Sequence, residues 1–168
     1  MDRIDIGTWA NISAEGWSSL LLGNGASIAI HKEFAYPTLH GIADAKGLLA
    51  TTAPIFAKLG TTDFEHVLLA CWYAEHVNGA LGTPSAAISA AYEEVRTALI
   101  EAVHSVHPVH ADVAADLQRI GAFASVFPTV VSLNYDLTLY WAMLLFNAAN
   151  GSWFTFFDSR SPGCWINP

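Results

Sequence analysis

Ser18-Ser19-Leu20-Leu21-Leu22-Gly23-Asn24-Gly25-Ala26-Ser27 runs on into Ile28-Ala29-Ile30. A short apolar run closed by glycine predicts a strand buried on both faces, and the apolar residues beyond it predict a helix. Strand, glycine turn and helix in that order form the setting that a phosphate-binding loop requires. Gly23 and Gly25 carry no side chain to obstruct a tight turn or a close approach of backbone to a diphosphate. Ser27 brings a hydroxyl to the start of the helix, where free amides favour anions. Taken alone, Gly-x-Gly is just as much the mark of an ordinary strand-to-helix turn.

A second strand is predicted at Thr129-Val130-Val131-Ser132-Leu133, which is continuous and rich in β-branched residues; helical character returns from Leu137. Asn134-Tyr135-Asp136 therefore occupies a strand's carboxyl end, the place where open α/β sheets bind ligands. The Asn134 amide can both donate to and accept from a sugar hydroxyl or a carboxamide, and the Asp136 carboxylate can fix an amide or a hydroxyl. The same two residue types also serve as plain turn and capping residues.

Between the strands the pattern is helical. Thr62-Asp63-Phe64-Glu65 reads as a capping box with Thr62 at its head, followed by Phe64, Val67, Leu68, Cys71, Trp72 and Ala74 on one stripe and a stop at Asn78-Gly79. Thr83-Pro84 opens a second helix, whose stripe is Ile88, Ala91, Tyr92, Val95, Leu99, Ala102, Val103 and Val106, with Pro108 as its stop. Val113, Leu117 and Ile120 define a third, ending near Gly121. The expected fold class is thus α/β, a short parallel sheet with long helices inserted between its strands.

Composition narrows the function. With 168 residues, 53% of them hydrophobic and 13% charged, the chain suits one domain with a substantial core and argues against disorder. A formal net charge of -8 repels nucleic acid, which is excluded as a partner. Cys71 and Cys164 are too few for a disulfide framework or a zinc site and read as reduced thiols. The start lacks the basic flank and apolar core of a secretory signal, and Leu137 to Ala149 is too short to span a bilayer, so a cytoplasmic, membrane-free protein is expected.

Of seven histidines, His104, His107 and His110 lie close together with Glu101 and Asp112. Imidazoles and carboxylates suit zinc, yet Pro108 breaks the helix between them, and the group reads as a solvated helix end. His66 and His76 are expected on the polar side of one helix. His31 follows Ser27 by four residues and receives no role.

In order along the chain, Leu20-Leu21-Leu22-Gly23-Asn24-Gly25-Ala26-Ser27, Thr62-Asp63-Phe64-Glu65-His66-Val67-Leu68 and Val131-Ser132-Leu133-Asn134-Tyr135-Asp136-Leu137 resemble the sirtuin-like domain of bacterial NAD-consuming, anti-phage defence proteins. The resemblance runs from about Ser18 to about Asp158. It implies a Rossmann-like, sirtuin-like sheet with flanking helices over residues 1–158, incomplete at its C-terminus, and an irregular tail over 159–168. It also implies NAD as ligand or substrate. Gly23, Asn24, Gly25, Ala26 and Ser27 would hold the diphosphate; Asn134 and Asp136 would meet the reactive ribose and carboxamide and carry the catalysis; the helix of Phe64 and Glu65 would wall the pocket. The four-cysteine zinc module of the deacetylases is absent.

One departure counts against catalysis. The family's histidine follows its Asn-Tyr-Asp signature, whereas no histidine follows His110 here, and the sequence from Ser159 to Pro168 loses all periodicity, as in a truncated or out-of-frame end. Three readings stay open: an NAD hydrolase releasing nicotinamide and ADP-ribose, an inactive module that binds NAD or ADP-ribose, and an interaction protein that binds neither. An incomplete sheet would also leave Trp141, Met143, Leu144 or Trp153 uncovered, so a homo-oligomer or a partner chain over an apolar surface is expected.

Overall fold

Helix dominates the chain, as the long 3.6-period stripes require, and the two predicted strands form its sheet. A computed structural model describes residues 8–13 and 15–150. In order these are α1 (Trp9–Ile12), β1 (Ser19–Leu22), α2 (Asn24–Ile30), a 3₁₀ turn (Lys32–Phe34), α3 (Tyr36–Ala45), α4 (Ala53–Leu59), α5 (Phe64–Leu81), α6 (Ala86–Val106), a second 3₁₀ turn (His110–Val113), α7 (Ala114–Ala124), β2 (Thr129–Ser132) and α8 (Thr138–Asn150). The chain falls into two compact units, one of Gly23–Asp112 with Asn134–Asp136, the other of the described parts of Met1–Leu22, Val113–Leu133 and Leu137–Pro168. Trp153, Cys164 and the expected tail over 159–168 lie outside the described residues. Among those that are described, no helix is long and apolar enough to cross a membrane.

In the second of these units β1 and β2 pair in parallel, with Ser19 opposite Thr129 and Leu22 opposite Ser132. The pairing follows the expectation, but burial on both faces does not: Leu21, Val131 and Leu133 are all exposed. A two-stranded sheet has too little neighbouring structure to cover β-branched residues on each side. α7 continues past the expected stop at Gly121 because that glycine is a packing position against α8. A Cβ there would stand 3.1 Å from the Ala142 carbonyl oxygen and 3.1 Å from Phe146 Cβ. Of the α8 residues expected to lie uncovered, Leu144 is exposed, while Trp141 and Met143 are half-buried.

The larger unit is built on a helical core. Leu39 and Ala43 of α3, Phe56 of α4, Phe64, Val67, Leu68 and Cys71 of α5, and Val95, Ala98, Leu99, Ala102 and Val103 of α6 form one buried cluster with Phe34 and Leu49. The α6 stripe matches its sequence reading; Ile88, Ala91, Tyr92 and Val106 pack partly buried around it. α5 departs in three ways. Its N-cap is Asp63 rather than Thr62: the carboxylate accepts from the amides of Glu65 (2.8 Å) and His66 (3.1 Å), while Thr61 Oγ1 accepts from the Asp63 amide at 3.0 Å. A carboxylate at a helix start also meets the positive end of the dipole, which favours it over threonine. The helix runs through Asn78-Gly79 to Gly82, whose left-handed φ of 65° closes it with the Thr83 amide on the Asn78 carbonyl, 2.8 Å. Trp72, expected in the core, is exposed.

One polar device holds this core together. The Glu94 carboxylate of α6 accepts from the amides of Thr51 (2.9 Å) and Thr52 (3.1 Å) and from both threonine hydroxyls, just ahead of α4. Thr52 is fully buried. Burial pushes the Glu94 carboxyl upward, but the threonine hydrogen bonds outweigh it and the net direction is down. Because the folded value lies below the unfolded one, the stabilisation is complete above the unfolded glutamate range, about 4.3, and fades as pH falls through the folded value.

Glu94→Ala should cost about 1–3 kcal/mol in urea unfolding at pH 7, since it removes the acceptor of buried Thr52, and the deficit against the parent chain should shrink on acidification below about pH 4. Gly121→Leu should cost about 1–3 kcal/mol by overpacking α7 against α8, whereas a leucine at exposed Gly79 should cost far less; equal melting temperatures for the two variants would contradict the packing role.

Candidate functional site

The two polar motifs singled out in the sequence meet. Ser27 sits in the first turn of α2, fully buried, and its Oγ donates to Asp136 Oδ2 at 2.5 Å. The same Oγ accepts from Asn134 Nδ2 at 2.7 Å. A hydroxyl that donates once and accepts once is satisfied internally. Ser27 is thus turned toward Asn134 and Asp136, which it fixes in one relative orientation, and its own hydroxyl is not presented at the surface.

The glycine segment is a helix start more than a loop. Helix α2 begins at Asn24, so Gly25, Ala26 and Ser27 lie in its first turn, and only Gly23 is extended, at φ -107° and ψ -175°. The helix was expected to begin near Ile28; it begins earlier because Gly23 serves as its N-cap and its carbonyl accepts the Ala26 amide at 3.0 Å. Gly23 and Gly25 are exposed, neither has a positive φ, and a Cβ on either would meet no atom of the described residues within 4 Å. Asn24 has an internal function: its Nδ2 donates to the Phe34 carbonyl at 3.1 Å and ties α2 to the following turn.

Asn134, Tyr135 and Asp136 line a narrow cleft of about 20 Å³ with Asn24, Tyr36 and Glu65, over apolar walls from Phe34, Leu39, Leu99 and Val103. Its interior has room for about one water molecule. Of Phe64 and Glu65, whose helix was expected to wall an NAD pocket, Glu65 lines this cleft and Phe64 is buried in the core. Tyr36 and Tyr135 were not singled out. Tyr36 stands in an unremarkable helix start, Ala35-Tyr36-Pro37, and only the packing of α3 against α6 brings it here.

The electrostatics of the cleft are acidic. Its formally charged lining residues are Glu65 and Asp136. Tyr36 has its phenol pushed far upward, first by burial, then by its hydrogen bond to Glu65 and the charges of Glu65 and Asp63. Tyr135 is half exposed, yet its phenol is also raised, by partial burial and by Glu65 and Tyr92, with Arg96 opposing. Both phenols stay protonated at neutral pH and can donate. Such a cleft suits hydroxyl, amide or cationic groups, and it repels phosphate.

The histidines stand outside the lining. His31 caps the end of α2, and its ring meets Phe34 edge-on at 5.6 Å. His107 meets Phe34 at 5.7 Å and is half-buried, so it is no part of a fully solvated helix end, while His104 is exposed. His66 and His76 are exposed on α5, but the side His76 shares with Trp72 is apolar rather than the polar side expected.

A mostly helical α/β chain with a small parallel sheet and an acidic cleft behind its Asn-Tyr-Asp segment is the class defined by these features. The chain belongs to DUF4917, described as a domain of unknown function, whose pattern matches residues 20–152 and so takes in β2, all of β1 but its first residue, and every residue that lines the cleft. No curated protein and no solved structure matches it.

Ser27→Ala should lower stability by about 1–3 kcal/mol, the cost of leaving Asp136 and Asn134 without their shared hydroxyl in a buried setting. Urea unfolding measures this, and an unchanged midpoint with an unchanged slope would show that the three side chains do not act as a unit.

Proposed function

We propose that this chain binds NAD through a Rossmann-like, sirtuin-like site, with the nicotinamide ribose at Asn134 and Asp136 and the diphosphate beside Gly23, Gly25 and Ala26. The observation that carries the reading is the Ser27–Asn134–Asp136 network. Two motifs separated by more than a hundred residues converge on one buried hydroxyl, whose two partners line one cleft. Charge supports the orientation. The nicotinamide ring of NAD is cationic, and its ribose and carboxamide offer donors, which suit Glu65 and Asp136; the phosphates suit the exposed glycine segment outside the acidic lining. Because the cleft itself takes little more than a water, the dinucleotide would lie mainly across its mouth, where the lack of side chains at Gly23 and Gly25 permits close approach.

Hydrolysis of NAD is the activity this reading extends to. Water adds its oxygen to the ribose anomeric carbon, the bond to nicotinamide breaks, nicotinamide departs neutral, and the proton passes to a base. Asn134 would orient the ribose and the water. A positioned base contributes roughly a hundredfold or more, and no histidine lines the cleft. That observation favours a second reading, a module that binds NAD or ADP-ribose without turning it over.

Purified protein incubated with NAD should show a ligand-induced rise in melting temperature that ADP-ribose shares in part and that Asn134→Ala reduces; a hundredfold excess over Kd corresponds to about 2.7 kcal/mol of added stability. Free nicotinamide is followed in the same samples. Release that Asn134→Ala abolishes identifies the hydrolase, a shift without release identifies the binding module, and the lack of either effect refutes NAD binding.

A further inference from the structure

Helix α5 is apolar on more than the face it buries. Phe64, Val67, Leu68 and Cys71 turn into the core, yet Leu69, Trp72, Tyr73, Val77 and Leu81 are each 45–74% exposed. Leu69, Tyr73, Val77 and Leu81 recur every four residues, so they form one continuous ridge along the outer side. A helix that is hydrophobic all round is normally covered all round. Contiguous apolar surface of several hundred square ångströms on a monomer marks an interaction site.

Part of this ridge is already ordered. The Trp72 ring meets Tyr73 edge-on at 5.2 Å and lies 3.9 Å from His76, whose Nδ1 hydrogen-bonds the Trp72 carbonyl at 2.8 Å. Aromatic side chains held in place before contact lose little freedom on binding, and Trp and Tyr are the residues most often central to protein interfaces.

We infer that the outer face of α5 is a self-association surface, and that its occupant is the same face of a second copy of this chain. Charge selects this occupant. Between His66 and Leu81 the only Asp, Glu, Lys or Arg is Glu75, whose carboxylate accepts from the Ser89 hydroxyl of α6 at 2.7 Å and so is turned away from the ridge. A charged partner would find nothing here to pair with. A membrane surface fits poorly, because interfacial helices bring Lys or Arg to the lipid and α5 has neither, in a chain of net charge -8. A second copy offers an equally uncharged ridge, and two like helices related by a twofold axis set ridge against groove. The area suffices: at roughly 200 Å² for a large side chain, the ridge presents roughly 500 Å², and two copies together bury roughly 1,000 Å², the floor for a specific interface.

Sedimentation velocity of the full chain over a range from about 1 to 100 μM, a span that brackets a Kd in the micromolar range, should show a reversible monomer–dimer equilibrium. Tyr73→Glu should weaken it by about a hundredfold or more, because two like charges would meet across the axis. Leu21→Glu, on an exposed residue of β1, should leave it unchanged. Circular dichroism checks that both variants fold. Should Tyr73→Glu fail to fold, Tyr73→Cys replaces it, with an intermolecular disulfide expected under mild oxidation and absent for Leu21→Cys. A chain that stays monomeric throughout, one that pellets with anionic vesicles instead of pairing, or a dimer untouched by substitution at Tyr73 overturns the inference.

Discussion

The hydroxyl of Ser27 is the constraint around which the candidate site is organised. It donates to Asp136 and accepts from Asn134 while fully buried. A buried hydroxyl with both capacities used pins its two partners to fixed positions, since moving either would leave a polar group unpaired away from water. Asn134–Asp136 thereby groups with Gly23–Asp112 and not with the residues on either side of it in sequence. The segment is drawn out of its local neighbourhood by side-chain hydrogen bonds.

The cleft takes its character from that arrangement. Asp136 and Glu65 make the lining acidic, and the phenols of Tyr36 and Tyr135 are held protonated beside it. The phosphate-binding expectation therefore divides in two. Gly23 and Gly25 stay open and exposed, whereas the hydroxyl expected to help them faces inward. In the NAD-binding proposal the cationic ring would meet the acidic lining and the phosphates would lie by the open glycines.

The rest of the larger unit supplies rigidity for these few groups. α3, α4, α5 and α6 share one apolar cluster, and Glu94 locks the Thr51-Thr52 corner to α6 through four hydrogen bonds. The outer ridge of α5 has no such partner among the described residues, and the self-association proposed for it would join two clefts into one assembly.

Much of the fold was legible in the sequence because it rests on local, periodic signals. The stripe of α6, the β-branched run of β2, the parallel pairing of the two strands and the helix after Leu137 all follow from spacing. Misreadings came where a tertiary neighbour decides. Gly121 looked like a helix end until α8 packed against it, and Leu21 and Val131 read as buried although the sheet has only two strands in the described residues. Asp63 displaced Thr62 as the cap because its carboxylate takes the free amides of Glu65 and His66 and meets the positive end of the helix dipole. Of the site, the sequence by itself marked Gly23, Ser27, Asn134 and Asp136, since their residue types and their places after two strands are unusual together. That Ser27 faces inward and that Tyr36 joins the cleft follows from no local signal, because these side chains reach their neighbours through the packing of separate elements, α3 against α6 in the case of Tyr36.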